Sequence, residues 1–409
     1  MKDMGPIPEW FSPGEDAQLR IGGWSADELI DQAGGTPLFA YDNNIVGGQV
    51  ARFRAAMPDG LALHYAVKAN PYGPLLRFLA RYVDGFDIAS AGELQALKDA
   101  DIDSLPVSFA GPGKRDSEIE VAIAAGVTLN IESESEADRA LAIAELVGRQ
   151  PKIAVRVNPP FGIKGAGMKM GGLASPFGVD ADRAAALVRQ LIAVGADWRG
   201  LHIFAGSQVL SADALIEAQR ATVALAADIA AAAGAEPPEI NLGGGFGIPY
   251  FPGEQPLDII AVGAALGETL VKVPDSLANT RFAIELGRWL VGEAGVYLTR
   301  IIDRKVSGGR TFLIADGGLH HMLAASGNLG QVLRRNYPVA MAGRFGCEFD
   351  EEVTITGCLC TPLDLLADKV SLPHAEPGDV VAIFCAGAYG LSASPQAFLN
   401  HPPAREMLV

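Results

Sequence analysis

Cysteine is scarce: Cys347, Cys358, Cys360 and Cys385 are the only four in 409 residues. That is too few for a disulfide framework in so long a chain. Cys358 and Cys360 stand too close to bridge easily and lack a second pair that would complete a zinc site. Reduced thiols in a cytoplasmic protein are the expectation. No apolar run reaches the roughly 18 residues of a membrane span, and Met1-Lys2-Asp3-Met4-Gly5-Pro6 lacks the apolar stretch of a signal peptide. Positive charge is also short. With 32 Lys and Arg against 48 Asp and Glu, the net charge is 32 − 48 = −16, which argues against nucleic acid and against an anionic membrane surface as partners. No internal repeat is present, and the only biased segment is the Ala-rich stretch at 221–235.

What is there is the balance of a folded protein, 49% hydrophobic and 20% charged, with length for two domains. From about 61 to 290, short β-rich runs alternate with Ala/Leu-rich amphipathic stretches. The expected strands are Leu61–Val67, Gly85–Ala89, Val107–Ala110, Thr128–Ile131, Lys152–Val157, Leu201–Phe204, Glu239–Leu242 and Phe282–Glu285. Helices such as Ala91–Ala100, Asp116–Ala125, Glu134–Leu146, Asp180–Val194 and Ala212–Ala233 lie between them. Eight βα units over little more than 200 residues predict a (β/α)8 TIM barrel, with a doubly wound open sheet as the alternative. After Arg288 helices thin out, and Val296–Ile302, Thr311–Ala315, Val353–Ile355 and Val380–Phe384 read as a mainly β domain. The expected division is an N-terminal segment 1–40 pairing with the C-terminal sheet through Thr36–Tyr41, a barrel over 41–288, and a β domain over 289–409.

Reactive groups of a barrel gather at the C-terminal ends of its strands. The first run ends in Lys68. Alone, this is a surface lysine snorkelling from a strand end; a Schiff-base lysine needs burial beside a cofactor, because the amine attacks only when deprotonated. The seventh run ends Gly243-Gly244-Gly245-Phe246-Gly247, either a plain tight turn or a bed for a phosphate on backbone amides. Its spacing is neither a dinucleotide fingerprint nor a P-loop. The eighth run ends Glu285-Leu286-Gly287-Arg288. The carboxylate reads as a rim salt bridge or as the partner of a protonated pyridine nitrogen, and Arg288 as a forked phosphate ligand. In Gly357-Cys358-Leu359-Cys360-Thr361-Pro362-Leu363-Asp364 a free thiol suits proton donation, a buried structural cysteine being the commoner case. Tyr389 sits among small residues in Ala386–Gly390.

Together these strings resemble the fold-type III pyridoxal-5′-phosphate (PLP) decarboxylases, the family of diaminopimelate, ornithine and arginine decarboxylases, over about residues 36–400. The resemblance implies that Lys68 holds PLP as a Schiff base and that Glu285 faces the pyridine nitrogen. It implies that Ser207, Gly245, Gly287, Arg288 and Tyr389 surround the phosphate and that Gly244 also binds the cofactor. Asp87 and Glu93 match the motif after strand two, and Arg156 and Asn158 the motif of strand five. Cys360 matches the cysteine that protonates Cα after CO₂ leaves, acting on the neighbouring subunit's lysine, which implies a homodimer with shared sites.

Three departures bear on the substrate. Phe204 stands where the family stacks a histidine on the ring. Thr361-Pro362 follows Cys360 in place of Glu-Ser or an Asp. Gly317-Gly318-Leu319-His320-His321 replaces the Arg-Pro-x-x-Tyr string that holds the distal carboxylate of diaminopimelate. His320, Thr361 and Asp364 therefore become the candidates for substrate contact. With Lys169-Met170-Gly171-Gly172 and Tyr389–Pro395, they bring the chain nearest a branch that includes the glutamyl–carrier-protein decarboxylase of butirosin biosynthesis and exosortase-associated decarboxylases. The implied substrate is an amino acid, free or presented as an acyl-carrier-protein thioester. Alternatives are diaminopimelate decarboxylase itself, an amino-acid racemase, which would use a tyrosine base, and a catalytically silent antizyme-inhibitor-like binding protein. No metal is expected, since adjacent histidines on a strand point to opposite faces.

Overall fold

The computed structural model describes residues 2–409 apart from 164, 170, 173, 330, 332 and 333; Met170 of the Lys169–Gly172 string thus lies outside the described residues. The chain forms two compact units. One comprises residues 50–247 and 256–287, the other 1–49, 248–255 and 288–409.

The first unit is a closed barrel. Its strands are β1 (Ala62–Ala66), β2 (Gly85–Ile88), β3 (Val107–Phe109), β4 (Thr128–Ile131), β5 (Lys152–Asn158), β6 (Asp197–Ile203), β7 (Glu239–Asn241) and β8 (Arg281–Leu286). Each pairs in parallel with the next, β8 pairs with β1, and β4 with β5, so no edge is left. Closure settles the choice that periodicity left open against an open sheet. Strands covered on both faces read as continuous apolar runs, and Leu63, Tyr65, Phe86 and Phe109 are almost fully buried. Serines at strand-to-helix turns start the crossovers: Ser90 Oγ accepts from the Glu93 amide at 3.2 Å and Ser133 Oγ from the Glu136 amide at 3.1 Å. Left-handed Gly126, Gly148 and Gly234 end the helices Asp116–Ala125, Glu134–Val147 and Ala212–Ala233.

In β6, Gly200 sits at a register shift against β5, and a Cβ there would collide with the Glu239 carbonyl. The strand therefore begins four residues before the apolar run that announces it. Helix Ile259–Leu270 carries two glycines that blur its period; at Gly263 a side chain would meet the backbone of Ala56.

The second unit is built on a mainly antiparallel sheet in the order Val339–Met341, Val380–Ile383, Gly295–Ser307, Arg310–Ala315, Glu351–Thr356, Leu365–Leu372. Strand Leu38–Tyr41 pairs antiparallel with Gly295–Leu298 and parallel with Arg405–Leu408. Phe39, Tyr297 and Phe384 fill its core with no measurable exposure. No described helix is long and apolar enough to cross a membrane.

Candidate active site

Lys68, Asp87 and Glu285 stand at or near the C-terminal ends of barrel strands. Strand β1 ends in a 3-10 turn, Val67–Ala69, which carries Lys68. Lys68 is exposed, not buried as expected for its role, while its neighbours Val67 and Ala69 in the same turn are buried. Its ammonium nevertheless lies 5.5 Å from the Phe204 ring centroid, and its charge helps to lower the pKa of Glu285 and opposes the rise at Glu93. Gly287, just past β8, lets the two strand ends close up, since a Cβ there would stand 2.6 Å from that of Ala69.

Glu285 is buried on β8. His202 Nε2 lies 3.1 Å from its Oε2, and Asn241 Nδ2 donates to the same oxygen at 3.2 Å. Burial alone would raise the carboxyl's pKa; His202 first, then Lys68 and Arg156, outweigh it and hold the group down at about 2. Asp87 on β2 behaves oppositely. Burial and the charge of Glu285 push it up to about 6, against the pull of His64, whose Nδ1 is 3.7 Å away, and of Ser108. Two carboxyls in one barrel are thus split, one ionised and one able to hold a proton.

Sequence reasoning missed His202, His64 and Asn241. Strand parity held the signal: His202 pairs in register with Arg156 and Asn241, and His64 with Glu285, so all face the same interior. Arg156 itself is tied to Glu132, 2.8 Å away, and Asn158 donates to Asp180 at 3.1 Å. Glu93 accepts from the Ala89 amide at 2.6 Å, a local turn contact.

The glycine string after β7 is demanded by the barrel before any ligand is considered. Gly243 and Gly245 have φ of 71° and 86°, and side chains at Gly244 and Gly245 would strike the carbonyls of Glu285 and Gly206. Gly243 donates to Asn241 Oδ1 at 2.8 Å while its carbonyl accepts from Glu285 at 3.0 Å. Beside this turn Ser207 Oγ is buried with no hydrogen-bond partner among the described residues, as a hydroxyl awaiting a polar ligand would be. A reachable amine, a buried ionised carboxylate, a flat aromatic face and an unpartnered hydroxyl on a glycine turn fit PLP.

In the second unit, Arg288 Nη1 donates to the Tyr250 hydroxyl at 2.9 Å, and the guanidinium lies 4.6 Å from the Tyr389 ring centroid. Tyr389 takes φ 53°. Cys360 is exposed and Thr361 half-buried. Asp364 is buried, its oxygens accepting from the amides of Leu319 at 2.7 Å and Leu359 at 2.8 Å, so it holds two loops together. The expectation that His320 and His321 point to opposite faces of a strand is overturned. They lie in a turn with ring centroids 3.7 Å apart, where backbone does not alternate. His320 is fully buried, and burial with His321 and His401 beside it pushes its pKa down to about 4.

A closed parallel barrel with these groups at its strand ends, joined to a β domain, is the architecture of the fold-type III PLP enzymes. The chain belongs to the pyridoxal-dependent decarboxylases: residues 44–292 match the family described as "Pyridoxal-dependent decarboxylase, pyridoxal binding domain". It is 36% identical over 381 residues to L-glutamyl-[BtrI acyl-carrier protein] decarboxylase of Niallia circulans, covering 91% of this chain and 88% of that one. Against the diaminopimelate decarboxylase of Methanothermobacter thermautotrophicus it is 32% identical, covering 97% and 91%. The crystal structure of a diaminopimelate decarboxylase from M. jannaschii superposes with a TM-score of 0.85 at 26% identity, over 97% of this chain and 92% of the other. The protein is a PLP-dependent amino-acid decarboxylase.

Proposed function

We propose that this chain removes the α-carboxyl group of an amino acid whose tail is held as a carrier-protein thioester; its Niallia circulans relative is named as acting on a glutamyl group on an acyl-carrier protein. The observation that carries the catalytic part is the buried Glu285 carboxylate, kept ionised by His202 at the mouth that Lys68 also lines. PLP, when bound, supplies a ring that draws off the electron pair left on Cα as CO₂ departs.

Lys68 would hold the cofactor through its amine. Glu285 would face the cofactor's ring nitrogen and favour its protonated form, with His202 and Asn241 fixing the carboxylate in place. Ser207 and the amides of Gly244 and Gly245 take the phosphate, to which the resemblance also assigns Arg288 and Tyr389. Phe204 offers a flat face but no hydrogen bond. Cys360 of the partner subunit returns a proton to Cα, which makes a homodimer part of the proposal.

The substrate reading rests on chemistry that is missing. Where a guanidinium would fork a distal carboxylate, this chain has Gly317–His321; where an acid would meet a distal ammonium, it has Thr361. Asp364 directs both oxygens at backbone amides. An uncharged thioester tail needs no such partner.

The test is CO₂ release by purified holoenzyme from glutamyl-carrier protein, free L-glutamate, meso-diaminopimelate, L-ornithine and L-lysine. Release from the carrier-bound substrate is expected. Efficient turnover of free meso-diaminopimelate overturns the substrate reading, and no release from any amino acid in either form overturns the catalytic one.

A further inference from the structure

His320, Cys358 and His401 come together in the second unit although they are far apart in sequence. One ligand-capable atom from each lies within 4.8 Å of the others. Cys358 Sγ is 3.8 Å from His401 Nδ1, and the rings of His320 and His401 are 5.3 Å apart between centroids. Zinc bonds of about 2.3 Å to sulfur and about 2.0 Å to nitrogen give a tetrahedral edge near 3.5 Å, so the Cys358–His401 edge is nearly formed and the longest separation must close by up to about 1.3 Å.

A second observation points to a ligand. His320 has no measurable exposure, and neither ring nitrogen has a hydrogen-bond partner among the described residues. A fully buried imidazole with two unsatisfied nitrogens is costly unless something is bound. Its neighbour His321 is satisfied at both, Nδ1 lying 3.2 Å from the Tyr297 hydroxyl and Nε2 2.9 Å from the Pro402 carbonyl. That locks the turn and the C-terminal segment that bring His320 and His401 together. Cys358 is itself free of any disulfide.

We propose that His320, Cys358 and His401 form a binding site for a divalent transition metal of the zinc class. Two imidazoles and a thiolate suit such an ion and exclude the oxygen-seeking calcium and magnesium. Each nitrogen gives a lone pair to the metal, and the Cys358 proton passes to solvent as the metal–sulfur bond forms. Water completes a fourth position. The ion ties the turn at 319–321, the loop at 357–361 and the segment at 400–402 into one piece. The loop at 357–361 also carries Cys360, but metal content and cofactor uptake are read separately, so failure of the metal reading is distinguishable from failure of the decarboxylase reading.

The test uses the PLP-loaded full chain, incubated with zinc sulfate, gel-filtered, and assayed for metal by mass spectrometry. Stoichiometric zinc is expected in the unaltered protein, with at least about a tenfold loss in Cys358→Ser and in His401→Gln; cofactor absorbance serves as the check on folding. Should a variant fail to fold, cobalt substitution of the unaltered protein is expected to give the visible bands and near-ultraviolet sulfur charge transfer of a tetrahedral thiolate site. A chelator is also expected to lower its melting temperature. Absence of retained zinc and of the cobalt bands, or equal retention by both folded variants, overturns the proposal.

Discussion

His202 Nε2 and Glu285 Oε2 stand 3.1 Å apart, both side chains buried and on strands that are not neighbours, with β7 between them. The imidazole is what keeps a buried carboxylate ionised where burial by itself would protonate it. Glu285 has its pKa depressed, so its ionised form is favoured by the fold above the ordinary carboxylate range and is lost only as pH falls through about 2. In His202→Leu that depression is relieved. The acid limb of the kcat profile is expected to move to higher pH, with cofactor still bound. An unmoved acid limb would show that His202 only fills space.

Glu285→Gln removes the charge and keeps the shape. Each unit by which the ring nitrogen's pKa then falls is worth about 1.4 kcal/mol, so kcat is expected to drop by at least about tenfold with little change in cofactor affinity. Steady-state CO₂ release and a spectroscopic titration with PLP measure the two separately.

Lys68 is expected to be the sole residue that becomes labelled. Intact-mass measurement after borohydride treatment should show the reduced cofactor on the unaltered chain and not on Lys68→Ala. A labelled Lys68→Ala chain would transfer the role to another amine.

Cys360 and Lys68 are expected to serve each other across a dimer. Lys68→Ala and Cys360→Ala, each nearly inactive, should on mixing and subunit exchange recover about a quarter of the normal rate, because half the dimers are mixed and each carries one intact site of two. No recovery, with exchange confirmed by mass, would place both residues of a site in one chain.

Asp87 carries a stability prediction. Burial and Glu285 raise its pKa to about 6 from 3.8, so the native state holds that proton more tightly than the unfolded chain. The resulting contribution is full below about pH 4 and is lost as pH rises through 6. Asp87→Asn imitates the protonated form. Its melting temperature, measured without cofactor, is expected to match the unaltered protein near pH 4. Above pH 7 it should be the higher of the two, reflecting a stability difference of roughly 3 kcal/mol at most.

The amino-acid order alone determined the alternation of eight apolar strands with helices, and hence a parallel sheet; that the sheet closes was decided by the pairing of β8 with β1 and of β4 with β5. It also placed Lys68, Glu285 and the glycine turn, because reactive groups at strand ends are visible as breaks in apolar runs. The start of β6 was hidden by the bulge at Gly200, and Leu365–Leu372 by its interleaved Asp368 and Lys369. Only the tertiary structure decided which side chains inside the barrel act on one another. His202, Asn241 and Glu285 lie 39 and 44 residues apart along the chain, and it is strand register that sets them on one carboxylate. The same holds for His320, Cys358 and His401, since a turn, a loop and a terminal segment share a place only after the chain has closed on itself. Periodicity records which face a residue takes, but not which distant residue meets it there.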